Sequence, residues 1–206
     1  MKIFGMEMEF FCSDHEQNLV LPPKGASCDE FPLALEVRSA PHACMYYCVS
    51  DIIRFRKVVE VALEKDKLTA QYISRVPVSK ELHEQIIRDD RLNKRAIKHR
   101  NLYGKKQTLN WRVATAGIHI HFSDIQVHKT GCKECGVREY TTTSLLDIPF
   151  IVRTLDKMYE KEIKEAGRLP GEYELKQVHG GFEYRSLPNN IDLWKLAENI
   201  ERMEWE

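Results

Sequence analysis

Four short segments of the chain carry ligand-type side chains two residues apart: Glu7 and Glu9 in GMEMEFF, Glu36 and Arg38 in LALEVRSA, His119 and His121 in AGIHIHFS, Glu183 and Arg185 in GGFEYRSL. In an extended strand residues i and i+2 point to the same side, so each pair shares a face. The opposite face takes Met6, Met8 and Phe10, then Leu35 and Val37, then Ile118, Ile120 and Phe122, then Phe182, Tyr184 and Ser186. If the strands join one sheet, a single face holds four carboxylates, two imidazoles and two guanidiniums. An antiparallel sheet with one wet face also alternates polar and apolar residues, and for any one strand that is explanation enough. A solvated face, however, mixes in Thr, Lys, Gln and Ser, whereas all eight of these positions are metal- or phosphate-binding types. Gly5, Gly117 and the pair Gly180 and Gly181 stand at or just before three of the strands, where glycine is costly unless a ligand or a neighbouring backbone comes close.

Carboxylates crowded on one face raise each other's pKa unless cations neutralise them. An oxygen-dominated set with an occasional imidazole favours Mg²⁺ or Mn²⁺, while zinc asks for more His or Cys. Guanidiniums beside such carboxylates suit a polyanionic ligand such as a nucleotide phosphate. The chemistry this predicts is metal-assisted phosphoryl transfer, which needs positioning and charge neutralisation rather than a nucleophilic side chain. The chain contains neither a G-x-S-x-G elbow nor a G-x-x-x-x-G-K-[ST] phosphate loop.

The elements that must position these residues follow from periodicity. Strands are expected over 2–12, 33–39, 112–123 and 181–187. Residues 43–64 have helical spacing, and Ser79 caps a shorter helix in KELHEQIIRDD. Segments 144–164, with Pro149 early or marking its start, and 191–205 read as two more helices. The expected fold class is α+β, an antiparallel sheet with helices packed on one face, in a single domain over 1–206.

The 206 residues include 31 Lys/Arg and 31 Asp/Glu, a formal charge of zero that disfavours a general nucleic-acid binder. The balance is local: residues 51–112 hold 16 basic against 8 acidic side chains, so the rest is acidic. No apolar run approaches a membrane span, and Glu7 and Glu9 interrupt what would be a signal peptide, so the expected setting is cytoplasmic. Six cysteines without an export signal read as reduced thiols. Cys132 and Cys135, with His128 upstream, supply half a zinc site, and no second pair has matching spacing. The alternative reading is therefore a zinc-supported nucleic-acid- or protein-binding module using the basic segment 88–112, which leaves the eight sheet residues unexplained.

The order Glu-x-Glu, Glu-x-Arg, Gly-Ile-His-Ile-His and Glu-Tyr-Arg, spanning GMEMEF to FEYRSLPNN, resembles the glutamine synthetase and glutamate–cysteine ligase superfamily. More narrowly it is similar to the small phage-encoded carboxylate–amine ligases, or amidoligases. The resemblance implies a glutamine synthetase catalytic-domain-like fold and an ATP-dependent ligase, acting in the host cytoplasm if phage-encoded. A carboxylate takes the γ-phosphoryl group of ATP, and an amine displaces phosphate to leave an amide or isopeptide bond. By this resemblance Glu7, Glu9, Glu36, His119 and Glu183 bind metal, His121 approaches the phosphates, and Arg185 stabilises the transferring group. Arg38 and Arg168 are expected phosphate or substrate-carboxylate contacts. Glu30 is the nearest counterpart of a further metal glutamate, at different spacing. Glycine-flanked segments 100–112, with Lys105 and Lys106, and 165–181 are candidate flaps over the acyl phosphate. The substrates implied are a small-molecule or peptide carboxylate and an amine acceptor, with ammonia, an amino acid, a polyamine and a protein lysine all open; the family's oligomeric state is not carried over.

Overall fold

The computed structural model of the chain describes residues 2–28, 32–89, 100–105, 112–124, 130–131, 138–139, 147–176 and 181–203. In chain order the elements are β1 (Lys2–Ser13), β2 (Leu19–Val20), β3 (Leu35–Arg38), α1 (Met45–Lys65), β4 (Thr69–Gln71), β5 (Arg75–Pro77) and α2 (Lys80–Arg88). Then come β6 (Arg100–Asn101), β7 (Val113–Thr115), β8 (Gly117–Asp124), β9 (Thr130–Gly131), β10 (Arg138–Glu139), α3 (Ile148–Met158), α4 (Glu160–Glu165), β11 (Glu172–Lys176), β12 (Gly181–Pro188) and α5 (Leu193–Glu201). The protein is mixed α+β, with a large antiparallel sheet and five helices among the described residues.

The sheet runs β2-β1-β8-β12-β11-β6, with β3 and β4 also pairing with β1. Its apolar face is the one the alternation marks: Phe4, Met6, Met8 and Phe10 from β1, Ile118, Ile120 and Phe122 from β8, Phe182 and Tyr184 from β12. These residues share one buried cluster with the inner faces of α1, α3, α4 and α5. A second cluster, containing Phe11, Val76, Leu82, Ile86 and Ala114, joins the β5–β7 strand pair and α2 to the far end of β1. Phe11 lies on the same side of β1 as Glu7 and Glu9, so this second core closes one end of the polar face.

Capping sets the helix starts. Ser79 Oγ accepts from Leu82 N, Asp147 Oδ1 from Phe150 N, and Asp192 Oδ1 from Trp194 N and Lys195 N. Pro149 falls in the first turn of α3, where its missing N–H costs nothing. The helix expected over 144–164 is broken at Tyr159, whose φ of −117° leaves the helical region, and the last helix stops at Glu201. The strand expected over 112–123 divides at Ala116: β7 pairs with β5, and the chain enters the main sheet as β8. Residues 172–176 are not flap but strand, held by β12 on one side and β6 on the other.

Candidate functional site

Register brings the spaced pairs into rows across the sheet. Glu7 lies between Arg38 on β3 and His119 on β8. One row over, Gly5, His121, Glu183 and Glu174 follow each other through β1, β8, β12 and β11, while Glu9 pairs with Glu36. Four strands far apart in sequence thus deliver Glu7, Glu9, Glu36, His119, His121, Glu183 and Arg185 to one face of the sheet, as the period of two predicts.

The contacts are those of a site short of positive charge. His119, 1 % exposed, sits with Nδ1 3.0 Å from Glu183 Oε1 and 3.6 Å from Glu7 Oε2, and with Nε2 3.6 Å from Glu9 Oε2. His121 Nε2 lies 3.2 Å from Glu7 Oε1 and 4.0 Å from Glu183 Oε2. Glu9 also accepts from Gly117 N at 2.9 Å. Arg38 binds Glu36 and reaches Glu7 Oε1 at 3.3 Å; Arg185 binds Glu183. Burial opposes protonation of His119, as does Arg185, but Glu9, Glu183 and Glu7 outweigh them and raise its pKa to about 9. Burial raises Glu7 and Glu183, yet the two imidazoles, with Arg185 for Glu183, hold both carboxyls well below the usual range.

Glu7, His121 and Glu183 each offer a ligand atom within 4.8 Å of the other two, a spacing that can hold a metal ion. The buried atoms His119 Nδ1, His121 Nε2 and Glu183 Oε2 complete no hydrogen bond of ordinary geometry despite lying this close to opposite-type groups. Two carboxylates and one imidazole converging in this way fit a hard divalent cation such as Mg²⁺ or Mn²⁺. Within this group His121 is the imidazole; His119, the histidine to which the family resemblance assigns metal, lies beside the same two carboxylates and reaches Glu9 as well.

Arg168 points its guanidinium at backbone, donating to the carbonyls of Arg185 and Ser186 where β12 bulges between Tyr184 and Leu187. It supports the strand that carries Glu183 and Arg185. Gly117 is glycine for the same reason: a Cβ there would lie 2.6 Å from Arg168 Cζ and from Leu187 O. At Gly181 a Cβ would lie 2.0 Å from Phe122 O. Two of the glycines expected to make room thus make it for neighbouring backbone and for Arg168.

A fifth strand, β11, also lines the site. Its Glu172, Glu174 and Lys176 face the site while Tyr173 and Leu175 pack into the core, an alternation present in EYELK itself. Lys176 Nζ contacts Glu183 Oε2 and lies 3.2 Å from Glu174 Oε2. Glu172 is buried, which raises its pKa against the pull of Arg168, Arg185 and His119. Glu30, Lys106, His128, Cys132, Cys135, Gly180 and most of the basic segment 88–112 lie outside the described residues. No helix among the described residues is long and apolar enough to cross a membrane. No protein-family model, curated protein or solved structure matches the chain.

Proposed function

We propose that the chain is an ATP- and Mg²⁺- or Mn²⁺-dependent carboxylate–amine ligase with a glutamine synthetase catalytic-domain-like fold. The observation that carries this is the meeting of Glu7, His121 and Glu183 in metal-binding proximity, with Arg185 and Arg38 as fixed cations on the same sheet face. When bound, the ion neutralises phosphate charge, and ATP supplies the phosphoryl group that turns a carboxylate into an acyl phosphate. Arg185, 12 % exposed at the side chain and oriented by Glu183, is placed to stabilise negative charge developing on the transferring group. Arg38, far more open, is the cation a second anionic group meets at the rim. Glu9 and Glu36, both buried, hold His119 and Arg38 in position. A reducing, cytoplasmic setting agrees with free thiols at Cys12, Cys28, Cys44 and Cys48.

The test is release of ADP and phosphate with Mg²⁺ or Mn²⁺ across a panel of carboxylates and amines. Turnover that needs both a carboxylate and an amine, and that is lost in Glu183→Gln, is the expected result. Failure of ATP to bind with metal present, together with salt-sensitive binding of single-stranded nucleic acid, would overturn it in favour of the binding module.

A further inference from the structure

The face around the metal cluster carries six carboxylates, Glu7, Glu9, Glu36, Glu172, Glu174 and Glu183, against four fixed cations, Arg38, Arg168, Lys176 and Arg185. With His119 also protonated, this still leaves carboxylates in excess of cations. The cations are not equivalent. Arg168 is tied to backbone carbonyls, and Arg185 binds Glu183 through Oε1. Lys176 takes Oε2, the oxygen that faces His121 Nε2.

Lys176 reaches this position because of where β11 ends. It is the last residue of the strand and pairs with Gly181, which has no side chain to block it. The stem leans diagonally across that gap to Glu183, two residues on. Its side chain is 33 % exposed and unbranched, and Glu174 Oε2 offers a second seat 3.2 Å from Nζ.

We propose that Lys176 is a tethered counter-cation of the metal site: it occupies Glu183 Oε2 until a divalent ion enters, and once released it becomes a ligand for the anion that shares the site. An ammonium and a divalent ion against one carboxylate oxygen repel each other at close range, so ion entry favours Nζ at Glu174 and toward incoming anionic oxygens of phosphate type. Metal and anion then bind with positive coupling, each strengthening the other by the same factor. This rests on the metal-dependent reading of the site, and it adds a residue outside the four spaced pairs.

The experiment is a calorimetric titration of wild type, Lys176→Met and Lys176→Arg with Mn²⁺ alone, and with sulfate, a dianion that leaves Mn²⁺ in solution, at zero and saturating Mn²⁺. Met keeps the length of the stem without its charge. Lys176→Met is expected to bind Mn²⁺ alone about tenfold tighter than wild type and to lose the Mn²⁺-dependent gain in sulfate affinity, while Lys176→Arg retains wild-type behaviour. Equal or weaker Mn²⁺ binding by Lys176→Met, or Mn²⁺ binding by neither protein, overturns the proposal; Lys176→Gln serves as the second neutral variant should Met misfold. Wild-type ATP turnover separates this from the ligase assignment. Tighter Mn²⁺ binding in the variant with no carboxylate- and amine-dependent turnover in wild type leaves the counter-cation standing and removes the ligase. Turnover in wild type with unchanged Mn²⁺ affinity in the variant does the reverse.

Discussion

His119 is the residue on which the charge state of the metal-free site turns. Folded, it holds its proton up to about pH 9; in an unfolded chain an imidazole releases it near 6.5. Its stabilising contribution is therefore fully present below pH 6.5 and is lost as pH rises through 9, a change on the order of 3 kcal/mol for a shift of this size. Urea midpoints in chelator should fall between pH 6.5 and 9, and His119→Gln should flatten that slope; an equal slope in both proteins would show the proton resides elsewhere. Glu183 has a different part, since it contacts both imidazoles, Arg185 and Lys176. Glu183→Gln should weaken Mn²⁺ binding at least about 100-fold, the upper end of what loss of a mere outer-shell partner costs. The residue types at these positions were legible in the sequence because a strand's period of two sorts them without any knowledge of neighbours. That both histidines come within 4.0 Å of Glu7 and of Glu183 was not, because that depends on inter-strand register.

At the scale of elements, the site depends on β12 keeping its bulge between Tyr184 and Leu187, and that bulge is braced by Arg168 against Gly117. A methyl at Gly117 has nowhere to go, since one neighbour is backbone and the other a guanidinium held by two carbonyls. Gly117→Ala should destabilise the protein by about 1–3 kcal/mol, the usual cost of overpacking, and chemical denaturation will report it. The buried tie of Asn189, which donates to Glu9 O and accepts from Ser74 Oγ, joins the end of β12 to β1 and to the turn before β5. Strands β1, β3, β8 and β12 were readable because their site residues alternate with large apolar ones. β11 alternates as well, but it is five residues long, begins beside Gly171 and presents only charged groups outward, which is equally the pattern of a solvated loop. The break at Ala116 was invisible for another reason: β7 and β8 are both good strand sequence, and only pairing with β5 separates them.

For the whole molecule, a cation that binds only the folded state adds its binding free energy to stability. At 100 times its dissociation constant a ligand specific for the folded state adds about 2.7 kcal/mol. For a chain of 206 residues this corresponds to a rise in Tm of roughly 5–10 °C with Mn²⁺ or Mg²⁺, measurable by scanning calorimetry, and it should vanish in Glu7→Gln. The zero net charge concealed this, because acidic face and basic middle cancel in the total. The pairing of β1 with β8, and of β8 with β12, also fixes when the site can exist. Glu183 comes 176 positions after Glu7, yet the strands of both must flank β8. During synthesis β8 has to wait, unpaired on one side, until β12 has left the ribosome. Closure of these long loops makes for slow folding, so metal affinity should be absent from nascent chains released before β12 and should appear abruptly once it is included.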